Sequence, residues 1–578
     1  MPPAQITFSY LRDQTVGIDA PIQTPFGERR LVYADFTASG RMLAFVEDYM
    51  RDIGTLYANS HTEDSLTGRA TTARLHAAEV RIKELLNAGE SGRLIACGTG
   101  STGAIHKLQE ILGIAMPPAT RHFVSSVLGE DAERRLRERQ PVVFVGPYEH
   151  HSNEVTWREG LATVLEVDLT PDGGLDLDHL EALLQDERYA DRPRIGSFSA
   201  ASNVTGRKTP VHQVARLLHR YDALACFDYA AAAPYVTIDM NPAGDPAGAL
   251  DAVFLSPHKY LGGPGSCGVL VFNDSLYRKE LPPSVGGGGT VVYVNPEGHA
   301  FIRDVEEREK AGTPGIMQTI RAALAMEIRD ALGTETIEER ERSLLERALG
   351  RWGSDPSIRI LGCPEAENRI GIISFNIADS HTGRLLHPRF VTTLLDDLFG
   401  IQSRAGCSCA GPYAHRILGI GPRQATRLMA LSEEGFHGVK PGWCRVGFHY
   451  TMDDAEADFV IDAVSFIARY GVRFLPDYTF NVRSGTWAHR DGNPDIAPFS
   501  LEAAVRSSYA PPAPLPAGER RERYATYLAE VEALAVDLEH RAVEQGVLEA
   551  DLEPYRYFAV ADGTVTVGSV DDAFCGGF

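Results

Sequence analysis

The chain has 578 residues, 44% of them hydrophobic and 23% charged, the balance of an ordinary folded protein with room for about three or four structural units. Asp and Glu (78) outnumber Lys and Arg (56), and the net charge of −22 works against binding of nucleic acid or of an anionic membrane surface. No run approaches the ~18 apolar residues of a membrane span. The N-terminus lacks a basic stretch followed by an apolar one, and 8 cysteines at irregular spacings fit neither a disulfide framework nor a structural zinc site. The expected setting is the cytoplasm, with no metal.

In chain order, residues 1–30 read as an N-terminal segment and 31–330 as a large domain. Within it, short apolar runs alternate with helical patterns from about Leu94 to Phe272. The runs are VVFVG (142–146), TVLEV (163–167), RIGSFS (194–199), ALACF (223–227), AVFLS (252–256) and CGVLVF (267–272). Continuously apolar or β-branched, they suit strands covered on both faces. The segment VHQVARLLHR (211–220) has helical spacing between two of them. The alternation predicts an α/β fold with a mostly parallel sheet, whose ligands sit beyond the carboxyl ends of the strands. Residues 331–475 predict a smaller α+β domain, with a long charged helix leading to the strand RIGIISFNI (369–377). Residues 476–578 form an extension. PPAPLP (511–516) is a semi-rigid linker, and Tyr524, Leu528, Val531, Ala535, Leu538 and Ala542 follow at helical spacing with Gly546 as the expected stop. Such a stripe packs on its own protein more often than on a partner. RYFAV (556–560) and TVTVG (564–568) flank Ala561-Asp562-Gly563, a hairpin signal.

The segments that carry chemistry follow strand ends. Lys259 lies in Ser256-Pro257-His258-Lys259-Tyr260-Leu261-Gly262-Gly263, just after the run AVFLS. A lysine there, followed by glycines that admit close backbone approach, suits a Schiff-base lysine; alone it would read as a surface turn. Asp228 follows ALACF amid small apolar residues, and a carboxylate so placed needs a cation such as a protonated pyridine nitrogen. Gly98-Thr99-Gly100-Ser101-Thr102-Gly103 precedes a helical pattern and makes a phosphate cradle of backbone N–H groups and hydroxyls, though by itself it is a weak signal. Glu149-His150-His151-Ser152-Asn153 follows VVFVG.

Taken together and in this order, these segments resemble the fold-type I enzymes that use pyridoxal phosphate (PLP), and among them the class V aminotransferase group that includes cysteine desulfurases and selenocysteine lyases. The resemblance covers roughly residues 30–475. Val32-Tyr33-Ala34-Asp35 with Thr37-Ala38 resembles the family's opening motif, and Leu56 to His61 its segment with an active-site histidine. The resemblance implies cofactor contacts from Ser101, Thr102, Asn203, Asp228, Ser256 and His258, a stacking and catalytic role for His150, and covalent attachment at Lys259. Gly312-Thr313-Pro314 is similar to a segment in which Thr313 reaches the neighbouring subunit's cofactor, which implies a homodimer. One departure is Ala231, at a position where the family usually has a glutamine that bonds the ring oxygen; the sulfurase domain of molybdenum-cofactor sulfurases looks similar in this respect.

Ser403-Arg404-Ala405-Gly406-Cys407-Ser408-Cys409-Ala410 resembles the desulfurase pattern Arg-x-Gly-x-x-Cys-Ala, with Cys409 at the position of the sulfur acceptor and Cys407 as an auxiliary thiol. A thiolate is a good nucleophile toward sulfur, whereas a pair of buried cysteines would act only as small hydrophobes. Arg445, in Trp443-Cys444-Arg445, resembles the arginine that binds the substrate carboxylate, assisted by Arg404 and, on the family pattern, His61; a guanidinium fork matches a carboxylate in two parallel bonds. The expected activity is removal of sulfur from L-cysteine, giving alanine and a Cys409 persulfide for a sulfur-acceptor protein. An aminotransferase, epimerase or C–S lyase acting on another amino acid is the alternative, and selenocysteine is a further candidate substrate.

Overall fold

The structure, a computed structural model, describes residues 6–60, 62–379, 382–492, 498–506, 513–541 and 543–568. The chain divides into two compact units. The first comprises Thr37–Glu339 and Asn368–Ile370, with the described part of Met1–Thr7; the second comprises Phe8–Phe36, Arg340–Glu367 and the described part of Gly371–Phe578.

The first unit is built on a seven-stranded sheet. Its members in chain order are β1 (Gly92–Cys97), α1 (Gly100–Ile111), β2 (Val142–Val145), β3 (Thr163–Glu166), β4 (Arg194–Ser199), α2 (Val211–Arg220), β5 (Leu224–Asp228), β6 (Ala252–Leu255) and β7 (Gly268–Asn273). The strand order is β1-β7-β6-β5-β4-β2-β3, and β7 alone runs against the rest. The six others share a direction, so their carboxyl ends lie along one edge. β2 and β6 are buried at every residue, which explains their uninterrupted apolar runs. In α2, Val214, Leu217 and Leu218 are buried while its charged face remains outside, the two-sided pattern that the 3.6-residue period predicts.

The second unit holds a four-stranded antiparallel sheet of β8 (Ile358–Ile360), β9 (Ile372–Ile377), β10 (Arg404–Gly406) and β11 (Trp443–Gly447), in the order β8-β9-β11-β10. The helices α3 (Pro388–Phe399) and α4 (Asp454–Tyr470) pack with it. The described residues of 476–568 belong to this unit and enter its core. Beyond β12 (Tyr478–Asn481) and β13 (Trp487–His489), the helix α5 (Ala517–Asp537) buries Tyr524, Tyr527, Val531 and Ala535. The Tyr524 ring stacks on Phe459 of α4 with centroids 4.1 Å apart. The apolar stripe on this helix therefore packs on its own chain.

Two details of the extension differ from the sequence reading. The helix ends at Asp537 and continues only as a 3₁₀ turn to His540, so Gly546 is not its stop. A Cβ on Gly546 would meet the Ala561 carbonyl at 2.6 Å, and glycine there permits a close approach of backbones instead. The predicted hairpin does not form either: β14 (Val565–Thr566) pairs in parallel with Phe480–Asn481, and Phe558 bridges Leu385. An existing strand edge in β12 wins over the local turn. Ala542 lies outside the described residues. No helix among the described residues is long and apolar enough to cross a membrane.

His387, the N-cap of α3, shows how tightly this core is closed. Its Nδ1 accepts the Arg389 N–H at 3.1 Å and its Nε2 donates to the Gly438 carbonyl at 3.0 Å. Burial pushes its pKa down to about 3, against the pull of the Gly438 bond. The unfolded chain takes up that proton near pH 6.5, so the stability from a neutral His387 is complete above that pH and is lost as pH falls toward 3. His449, also held down to about 3 by burial, adds in the same direction. The melting temperature is expected to rise from pH 4 to 6.5. His387→Asn, which keeps a capping acceptor, is expected to flatten that rise by up to ~1.4 kcal/mol per pH unit. An unchanged slope in calorimetry at several pH values would contradict the assignment.

Candidate active site

Five stretches of chain converge on the carboxyl edge of the large sheet. Asp228 ends the central strand β5 and is 4% exposed. Its Oδ1 accepts the Ala230 N–H at 2.9 Å. Burial raises its pKa, while the Ala230 bond, the Lys259 charge and a hydrogen bond from Ser101 oppose that rise. A carboxylate in this position calls for a cation, and the amine of Lys259, in the 3₁₀ turn Pro257–Lys259 after β6, is within electrostatic reach.

The cradle forms where β1 hands over to α1. Gly100 has φ +54°, and a Cβ on it would lie 2.8 Å from Ser256 Oγ. Glycine thus lets the first turn of α1 close against the turn that follows β6. The Ser101 N–H donates to Ser256 Oγ at 2.8 Å, so two residues expected at the phosphate already touch. The first turn contains no acidic residue, which leaves this helix N-terminus compatible with an anion. His258 lies beside Ser39, whose Oγ is 3.3 Å from its Nδ1. Burial and the Lys259 charge lower the His258 pKa to about 4, which keeps the ring neutral.

His150 caps a short 3₁₀ turn. The Ser152 N–H donates to its Nδ1 at 3.2 Å, which puts the proton of the neutral ring on Nε2. The Ser152 hydroxyl lies 3.1 Å from the same Nδ1 and 2.6 Å from Thr102 Oγ1, linking the histidine to the cradle. Behind it Glu149 is buried, with the N–H groups of Gly146 and Ser199, the Ser199 hydroxyl and Asn153 all donating to its carboxylate. Burial, reinforced by the nearby Asp228 charge, pushes it up to about 7 despite those bonds. Asn203 is buried in a turn in which Ser202 Oγ accepts the N–H groups of Val204 and Thr205. Ala231 is buried in a run of four alanines and offers no side-chain polar atom. Thr313 Oγ1 accepts a hydrogen bond from exposed Asn59 at 3.2 Å. His61 lies outside the described residues.

The second unit carries the remaining expected residues. Arg404 on β10 and Arg445 on β11 are direct cross-strand partners. Two like charges in that register repel each other, and Asp35 resolves the conflict: its Oδ2 accepts from Arg404 Nε at 3.0 Å and its Oδ1 from Arg445 Nη2 at 3.1 Å. Arg445 and Asp35 are buried, whereas the Arg404 side chain is 42% exposed. Asp35 thus bonds both guanidiniums at once. Asp35, Ser152 and Glu149 were not among the residues singled out from sequence for a site; only their place within the family motifs marks them.

β10 runs directly into the cysteine turn. The Ala410 N–H donates to the Cys407 carbonyl at 3.0 Å, and the two central residues have positive φ, +53° at Ser408 and +55° at Cys409. This is the pattern of a type I′ turn, normally built from glycine or asparagine, and each non-glycine residue in it costs about 1–2 kcal/mol. Buried Trp443 anchors the turn by donating from Nε1 to Ser408 Oγ at 3.2 Å. Cys409 is exposed and Cys407 half-buried, so neither is a core hydrophobe.

The sequence profile of the family Aminotransferase class-V matches residues 32–460. The chain belongs to the class V aminotransferase family. A probable cysteine desulfurase of Streptomyces coelicolor is 27% identical over 447 residues, 76% of this chain and 93% of that protein. A cysteine desulfurase of Escherichia coli is 32% identical over 277 residues, 47% of this chain and 62% of that protein. The solved cysteine desulfurase structures from Escherichia coli (23% identity) and Thermococcus onnurineus (21%) each superpose with TM-score 0.59, covering 79% and 76% of this chain and 98% and 95% of theirs. That likeness establishes the fold-type I α/β architecture. The large sheet with its single reversed strand is this family's scaffold, and the chain is an enzyme of the desulfurase-like kind.

The ion triad gives a direct test. Asp35→Asn removes the carboxylate from between two facing guanidiniums and is expected to destabilise the protein by ~3–5 kcal/mol. Arg404→Met in the same background should recover part of that loss, because one of the facing charges is gone. Additive losses in denaturant titrations would show that the three groups do not act together.

Proposed function

We propose that this protein is a PLP-dependent cysteine desulfurase-like enzyme that takes sulfur from L-cysteine and leaves alanine, with Cys409 as the first sulfur acceptor. The observation that carries this reading is the continuity of β10 and its turn. Arg404 of the carboxylate receptor lies on the strand that leads into the strained turn presenting the exposed Cys409 thiol. A receptor for an amino acid's carboxylate and a sulfur nucleophile thus share one short segment.

The residues of the first unit fit PLP. The glycine-lined α1 terminus suits a phosphate, buried Asp228 suits a protonated ring nitrogen, and Lys259 beside it suits attachment of the aldehyde. When bound, PLP supplies an electron sink that makes the α-proton of an amino acid removable. Lys259 is the base for that proton once its amine is released. Asp228 holds the ring-nitrogen proton in place. His150 offers its Nε2–H toward the cofactor side, with Nδ1 fixed by Ser152. Arg445, with Arg404, orients the substrate carboxylate. The Cys409 thiolate then attacks the substrate sulfur: a sulfur–sulfur bond forms, the carbon–sulfur bond breaks, and the carbon is reprotonated to give alanine. A homodimer in which Thr313 serves the neighbouring subunit, a sulfur-acceptor protein and a cytoplasmic setting complete the proposal.

Ala231 favours a second reading. Without a side-chain hydrogen bond at that position the chemistry of the ring oxygen is retuned, which suits a lyase or aminotransferase acting on another amino acid, or on selenocysteine. A panel of amino acids scored for alanine, sulfide and keto-acid products separates the readings. Holoenzyme with cysteine and reductant is expected to give alanine and sulfide in equal amounts. Cys409→Ala should lose more than about a hundredfold in rate while keeping its yellow colour, and Lys259→Ala should lose the covalently held chromophore. Full-rate desulfuration by Cys409→Ala would overturn the role given to that thiol.

A further inference from the structure

Cys407 stands at the first position of the turn and Cys409 at its third, so their Cα atoms are two steps of about 3.8 Å apart along the chain. The two thiols differ in their surroundings. Cys409 is exposed at the tip, while Cys407 is half-buried at the end of β10. Both the Arg389 guanidinium and the Lys440 ammonium are within electrostatic reach of Cys407.

The C-terminal extension bonds the guanidinium of Arg389 and the backbone of Lys440. Arg389 Nη1 donates to the Ser484 carbonyl at 2.7 Å, and the Tyr557 hydroxyl donates to the Lys440 carbonyl at 2.8 Å. The stretch before Lys440 is tied down as well, since the His437 and Gly438 N–H groups donate to the carbonyls of Arg483 and Val482, both at 2.8 Å. Residues 482–484 and 557 thereby brace the segments that carry the two charges felt at Cys407. Nothing in the desulfuration step described above uses those charges.

We propose that Cys407 is a second sulfur carrier, which takes the sulfane sulfur from Cys409 and keeps it as a persulfide beside two cationic side chains whose segments the C-terminal extension braces. The proposal rests on the desulfurase reading, which supplies the Cys409 persulfide. The Cys407 thiolate attacks the outer sulfur of Cys409–S–SH. The bond from that sulfur to Cys407 forms, the bond to Cys409 breaks, and Cys409 leaves as a thiolate with the electron pair. The proton on the outer sulfur stays with it, and there is no net oxidation. An anionic persulfide on Cys407 is met by the charges of Arg389 and Lys440. Cys409 is then free to accept a second sulfur before the first has been passed on.

The test loads PLP holoenzyme with L-cysteine in the absence of reductant, quenches with an alkylating agent and maps the extra sulfur by peptide mass spectrometry. Wild type is expected to carry sulfane sulfur on both Cys409 and Cys407. Cys409→Ser should carry none on either, because sulfur enters there. Cys407→Ser should load Cys409 but transfer its sulfane sulfur to a small thiol, as that thiol's persulfide, about tenfold more slowly. Lys440→Gln, a change at an exposed side chain, should reduce the share found on Cys407. Label confined to Cys409 in wild type would overturn the relay and leave the desulfurase reading standing. Label on Cys407 in Cys409→Ser would overturn the order of transfer. No alanine and no label on either thiol would remove the desulfurase reading itself, and the relay with it.

Discussion

A carboxylate buried at the end of a central strand has to be met by positive charge, and the strand-end residues of the first unit are arranged around that requirement at Asp228. β5 lies in the middle of the sheet, so its last residue is covered on both sides by neighbouring strands and above by the alanine turn. Burial works against the charged form and raises its pKa. The groups that oppose that rise come from different elements: Lys259 after β6, Ser101 at the start of α1 and the Ala230 amide in its own turn. Each reaches Asp228 only because β1, β5 and β6 end at the same edge. The strand direction of the sheet is therefore what turns several separate short motifs into one site.

The second unit solves a related problem with opposite signs. Its two arginines are forced together by antiparallel register, and one buried carboxylate bonds both. Arg404 stays partly open to solvent while Arg445 and Asp35 are buried.

The fold was legible wherever local pattern and tertiary environment agree. The apolar runs at 142–146, 194–199 and 252–256 became strands because a parallel sheet buries both faces, and 211–220 became a helix because its period matches one buried side. Lys259 and Asp228 could be singled out because charge beside glycine or alanine at a strand end is unusual. Asp35 could not be given a role in the same way, since its partners lie far along the chain on strands whose register no local signal reports. Ser152 was hidden for a different reason: its effect passes through the tautomer of His150, a matter of hydrogen-bond geometry and not of residue type.

The extension shows the limit of local reading most clearly. A turn sequence at 561–563 between two apolar runs is a sound hairpin signal, but a hairpin on its own is marginal in water, and the edge of β12 offers a longer-lived partner. Once β14 pairs there, Phe558 through Ala561 are drawn into the core beside His387 and Trp487, and Tyr557 is left at the margin with its hydroxyl on the Lys440 carbonyl. The same pairing that defeats the hairpin thus sets Tyr557 against the segment that carries Lys440. A segment that ends up buried with the helix carrying Arg389 is part of the small unit's construction, and any account of what the cysteine turn does has to include it.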